Sequence, residues 1–136
     1  MLAQVVDADL DLDRHAALVQ DVAAGAVVTF AGIVRNHDRG RAVTALEYVG
    51  HPSAGQVLAD VAQQVAAAYP VDAVAISHRV GHLPVGGVAL AVAVSAAHRR
   101  EAFEAASELV EEVKRRLPVW KRQVLQDGTE EWVACP

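Results

Sequence analysis

The chain carries only two lysines, Lys114 and Lys121, against ten arginines. A lysine amine can give up its proton when it is desolvated, whereas a guanidinium stays charged. Two lysines this close together therefore read either as a pair suited to proton transfer and charge stabilisation or as ordinary surface cations. Glu111 with Arg115 and Glu112 with Arg116 have the i,i+4 spacing of ion pairs on a solvated helix face. Lys114 instead has Val110 at i−4, beside an apolar stripe. Lys121 follows Pro118-Val119-Trp120, where the helix should stop. A chain reversal there would bring both amines to one pocket, with Trp120 as its wall or as a plain core aromatic.

A second cluster, Ser95-Ala96-Ala97-His98-Arg99, falls where a strand should end and a helix begin. Backbone N–H groups at a helix start favour an anion, and a guanidinium such as Arg99 adds bidentate contact to phosphate. His98 reads as a proton donor, a phosphate contact or a helix cap. Arg35, at the end of an apolar strand, is the third candidate. Arg39 and Arg41 are solubilising, or belong to a lid that orders on substrate.

Other features carry less. His78 and His82 have H-x3-H spacing across a strand end with no third ligand, so no metal site is expected. Cys135 cannot form an internal disulfide and lacks the surroundings of an activated thiol. Gly86-Gly87 signals a hairpin, not a phosphate loop, since no helix follows.

These side chains need a scaffold. A chain of 136 residues suffices for one domain, 1–136, with a core built mainly from Ala and Val; hydrophobic residues make 53% and aromatics 4%. Small side chains bury less area each, which favours support from an oligomeric interface. The net charge of −5 argues against nucleic acid as a partner. No apolar run is long enough to span a membrane, and the acidic N-terminal stretch lacks the basic region of a signal peptide, so a cytoplasmic location is expected. An acidic protein that gathers its cations at Arg35/Arg39/Arg41, Arg99/Arg100 and Lys114–Arg122 should hold a local anion site if the fold unites them.

Periodicity predicts helices over Asp11–Ala23, Pro52–Tyr69 and Arg99–Leu117, the last with a stripe of Phe103, Ala106, Val110, Val113 and Leu117. Strands are predicted at Ala26–Val34, Ala42–Val49, Ala73–Val80, Val88–Ser95, Val119–Leu125 and Glu131–Ala134. The first two should form a hairpin with a long cationic tip. The order αββαββαββ with short links favours an α+β fold with mixed or antiparallel sheets and three main helices.

Several segments together resemble the large, catalytic subunit of molybdopterin synthase. They are Val27–Arg35 (VVTFAGIVR) with Asn36-His37, Leu46-Glu47-Tyr48, His78-Arg79-Val80-Gly81, Ser95–Ala105 (SAAHRREAFEA), and Lys114–Arg122 (KRRLPVWKR) with Trp132. The resemblance runs in order from about Gly25 to Val133. It implies an α/β hammerhead fold and a sulfurtransferase of molybdenum-cofactor biosynthesis with no resident cofactor. Such an enzyme converts cyclic pyranopterin monophosphate (precursor Z) to molybdopterin by inserting a dithiolene. Its sulfur comes from the C-terminal thiocarboxylate of a small ubiquitin-like carrier whose Gly-Gly tail enters the large subunit. The resemblance further implies a homodimer within a heterotetramer. It places Lys114 and Lys121 in the catalytic role, and substrate binding at Arg35, His98 and Arg99 with Ile33, Val34, Arg122 and Gln123 as neighbours. Ile33 and Gln123 stand where some relatives carry Lys and Glu, and Val49 follows Leu-Glu-Tyr where an acidic residue is usual. Two alternatives remain at this point: a non-catalytic, carrier-binding scaffold, or another phosphate-ester-handling enzyme.

Overall fold

A computed structural model describes residues 1–135, with side chains described through Val133. Runs of β-branched and small residues form the central layer, a four-stranded sheet. Its members in spatial order are β1 (Leu2–Val6), β5 (Val71–Arg79), β7 (Val88–Ala96) and β2 (Ala26–Ile33). β1 runs parallel to β5, and the β5/β7 and β7/β2 pairs are antiparallel. The sheet is covered on both faces, so β7 is buried almost throughout and shows no alternation.

One face packs on α2 (Ala54–Ala68) and α3 (Arg99–Arg116). Leu58, Val61 and Val65 of α2 meet Ala105, Leu109 and Val113 of α3 over Val74, Ile76, Val92 and Val94. On the opposite face Val19, just past α1 (Leu12–Leu18), packs on Ala75 and Ala93. His15 of α1 is buried there too. Its Nδ1 donates to the Asp11 carbonyl at 2.7 Å, and its Nε2 lies 2.7 Å from the Ser77 hydroxyl, which also accepts from Gln4.

A second sheet is built from β3 (His37–Asp38), β4 (Arg41–Gly50), β8 (Val119–Leu125) and β9 (Glu130–Cys135), with β6 (Gly81–Pro84) on β4. The chain leaves the first sheet at Arg79, pairs as β6 across Ala45–Tyr48, and returns as β7. Gly81 makes this exit possible: its φ is +90°, and a Cβ there would stand 2.5 Å from Asp7 Oδ1. A small core of Val34, Leu46, Leu83 and Ala89 fills the junction of the sheets.

The three helices, the mixed sheets and the α+β class agree with the sequence reading. Several details do not. β2 and β4 do not form a hairpin: β2 pairs with β7, and β4 with β6 and β8. The tip is instead a tight turn of β3 on β4, with Arg39 and Gly40 both at positive φ as a two-residue hairpin requires. β1 and β6 were not anticipated, and α1 ends at Leu18, well before Ala23. A register shift between Val43 and Ala45 changes the inward face of β4, so Val43 and then Leu46 are buried. On α3 the buried stripe is Ala102, Ala105, Ala106, Leu109, Val110 and Val113, while Phe103 is 61% exposed. Trp120 is also exposed and is not a core aromatic.

Candidate functional site: a cationic cavity at the sheet junction

The first sheet, the second sheet and the end of α3 meet around a cavity of about 330 Å³. β2 contributes Phe30, Gly32 and Ile33, with Arg35 just beyond it. A register shift between Gly32 and Ile33 turns the strand end toward the opening. Gly32 keeps that approach close, since a Cβ would come within 3.3 Å of Leu90 Cβ. β5 adds His78 and β7 adds Leu90 and Ala89.

α3 supplies Val113, Lys114 and, at its C-cap, Leu117. Its buried stripe fixes the helix rotation, which leaves Lys114 exposed at the rim one position beyond buried Val113. Cations in a last helical turn are favoured by the unsatisfied carbonyls there. Arg115 and Arg116 both pair with Glu112, and Arg116 also donates to Gln64 at 2.6 Å. The expected Glu112–Arg116 pair is thus present, while Arg115 takes Glu112 rather than Glu111. Pro118 then ends the helix, and β8 brings Val119 and Lys121 to the same cavity beside Tyr48 of β4. Strand alternation sends Trp120 to the other face.

Arg35, Lys114, Lys121 and Ile33 thus line one cavity. The remaining candidates fall elsewhere. Val34 is buried beneath, with its N–H bonded to the Gly87 carbonyl at 3.0 Å and its own carbonyl accepting from Gly86 at 2.8 Å. Arg122 points away and is held by Glu47 at 3.2 Å and Glu130 at 2.5 Å. Gln123 is buried and donates to Asp38 Oδ2 at 2.9 Å. Arg41 lies outside the cavity lining and pairs with Glu131 at 2.6 Å on the second sheet. His98 precedes α3 with an extended backbone and makes no side-chain capping bond. Fifteen residues separate Arg99 from Lys114 on α3, about 22 Å at 1.5 Å per residue, so His98 and Arg99 stand far from this cavity within one chain.

Three neighbours of the site were not singled out as site residues from the sequence. Asp38 lies 3.7 Å from Arg35. The Gln123 hydrogen bond, helped by the charges of Lys121, Arg39 and Arg35, holds its carboxyl below the usual carboxylate range. Tyr48 meets His78 edge-on, with ring centroids 5.1 Å apart. Burial, with a smaller push from Lys114, lowers the His78 pKa to about 4, against the effect of its bond to the Arg79 carbonyl. The signal for His78 was its place inside the apolar run of β5. His82 is exposed and lies 3.4 Å from Glu47, so the two histidines do not act together. No group of three or more His, Cys, Asp or Glu side chains suited to a metal occurs among the described residues.

Such a cavity, with apolar walls and three cationic heads at its rim, defines an anion-handling site on an α+β subunit. The MoaE protein family matches residues 5–116. A molybdopterin synthase catalytic subunit from Nostoc sp. is 40% identical over 129 residues, covering 93% of this chain and 78% of the relative. One from Oryza sativa subsp. indica is also 40% identical over 88% of this chain, which spans only 62% of that relative's length. Among solved structures, molybdopterin synthase from Staphylococcus aureus superposes with a TM-score of 0.89 at 28% identity, covering 96% of both chains. The chain belongs to the MoaE family. Among the described residues no helix is long and apolar enough to cross a membrane.

Proposed function

We propose that this chain is the catalytic subunit of a molybdopterin synthase, a sulfurtransferase acting on precursor Z in the cytoplasm. The carrying observation is the convergence of Lys114 and Lys121, from a helix end and the following strand, on one apolar-walled cavity with Arg35 at its rim. Its relatives are named as catalytic subunits, which implies a second subunit. In this reading that partner is a small ubiquitin-like carrier whose Gly-Gly tail enters the cavity as an extended segment.

The thiocarboxylate then lies between the two ammonium groups, which are placed in advance to stabilise negative charge. Lys114 stabilises negative charge where the thiocarboxylate meets the substrate, or passes a proton there; Lys121 supports substrate binding and developing charge. Arg35 holds the anionic end of the substrate. The wide separation of His98 and Arg99 from the cavity supports a homodimer in which a partner copy brings those two residues to complete the phosphate site.

The test mixes the purified protein with precursor Z and thiocarboxylated carrier and measures molybdopterin. Product from the wild type, and its loss in Lys114→Ala and Lys121→Ala, is expected. A wild type that makes no product overturns the reading.

A further inference from the structure

The cations that line the cavity share a chemical one-sidedness. Arg35, Lys114 and Lys121 can only donate hydrogen bonds. A ligand that is an anion and nothing more would be satisfied by them. A ligand that also carries N–H groups would bury those donors without partners, at a cost comparable to a lost hydrogen bond each. Among the lining side chains only Tyr48 and His78 can accept. The Tyr48 hydroxyl donates as readily as it accepts, so it does not discriminate.

His78 is different. Its Nδ1 sits 2.8 Å from the Arg79 carbonyl oxygen, which accepts and cannot donate, so Nδ1 carries the proton. The ring is largely buried and lines the cavity, and the edge contact with Tyr48 holds its plane. Burial and the nearby Lys114 charge keep the imidazole neutral at neutral pH. A neutral ring protonated on Nδ1 has one remaining function at Nε2, a lone pair.

We propose that His78 is the acceptor of this cavity, with Nε2 taking a hydrogen bond from an N–H of the anionic ligand that Arg35, Lys114 and Lys121 hold. Two ligands carry that chemistry: the amide N–H groups of the carrier's tail and the ring N–H groups of the pterin. The proposal rests on the proposed function, and it adds a group that reads the neutral part of the ligand where the cations read its charge.

The experiment compares wild type, His78→Phe and His78→Gln, all checked for an unchanged fold by circular dichroism. Phenylalanine keeps the ring against Tyr48 without an acceptor; glutamine restores one. Binding of carrier ending in an ordinary Gly-Gly carboxylate is measured by calorimetry, and binding of precursor Z by fluorescence. Histidine nitrogen NMR at pH 7 reads the tautomer without any ligand. The expected results are a neutral ring with the proton on Nδ1, a loss of about fivefold to tenfold in affinity for one ligand in His78→Phe, and partial recovery in His78→Gln. Loss confined to the carrier identifies the tail amide as the donor; loss confined to precursor Z identifies the pterin. A wild type that binds both equally well as His78→Phe overturns the proposal, as does a ring that is cationic or protonated on Nε2. A wild type that binds neither ligand overturns the function instead, and the tautomer still tests the His78 geometry.

Discussion

Gln123 donates its Nε2 to Asp38 Oδ2 at 2.9 Å, tying the strand that carries Lys121 to the turn that follows Arg35. The acceptor is also 3.7 Å (at its other oxygen) from the Arg35 guanidinium. One buried amide therefore connects cations that arrive from opposite ends of the chain. Gln123→Leu should cost about 0.5–1.5 kcal/mol of stability, the net worth of one hydrogen bond to a carboxylate that water can still reach. It should also raise KM for the anionic substrate while kcat changes less, since Lys121 stays on its strand. Denaturant unfolding and steady-state kinetics check both; an unchanged KM would count against the tie.

Arg99 and Lys114 sit about 22 Å apart along α3. If a partner copy supplies His98 and Arg99, then Lys114→Ala and Arg99→Ala dimers should each be inactive and should complement when subunits are exchanged. Random exchange makes half of the dimers mixed, and each mixed dimer holds one complete site, so about a quarter of wild-type activity should return. No recovery after verified exchange would place both residues outside a shared site.

Acid stability follows from His78. Its folded pKa of about 4 lies below the ordinary value of 6.5, so the unfolded chain binds the extra proton first. The contribution is present above pH 6.5 and is lost as the pH falls from there through about 4. The gap corresponds to on the order of 3 kcal/mol at most. Urea midpoints at pH 7 and pH 4.5 should differ less in His78→Phe than in the wild type.

Leu109 is fully buried where α3 meets α2 and the first sheet. Leu109→Ala should destabilise by about 2–5 kcal/mol. Phe103→Ala, on the exposed side of the same helix, should change monomer stability by less than about 1 kcal/mol. Equal losses would contradict the observed rotation of α3.

That rotation shows where sequence reading reached and where it stopped. The helix, its end at Pro118 and the convergence of Lys114 and Lys121 were legible, because helical period and a proline stop are local signals. Hydropathy favours a stripe through Phe103, because a large apolar residue outweighs alanine on any scale, yet alanines allow the helix to sit close on β7. Adjacent strands usually pair, which predicts a β2/β4 hairpin; β2 instead runs antiparallel to β7 along its whole length as an edge strand of the first sheet, and β4 pairs in the second. β6, four residues long, is set by its partner β4 and leaves no period to read. His78 and His82 share a ligand-like spacing in sequence, but the fold gives them separate partners, the Arg79 carbonyl and Glu47.

The most direct test of the central claim follows the sulfur on the carrier. Thiocarboxylated carrier is incubated with precursor Z and either wild type or Lys114→Ala, and the carrier's terminus is read by mass spectrometry. The wild type should convert the thiocarboxylate to a carboxylate only when precursor Z is present, while Lys114→Ala should leave it intact although the carrier still binds. Conversion by Lys114→Ala at the wild-type rate would contradict the assignment of this cavity as the place where sulfur is transferred.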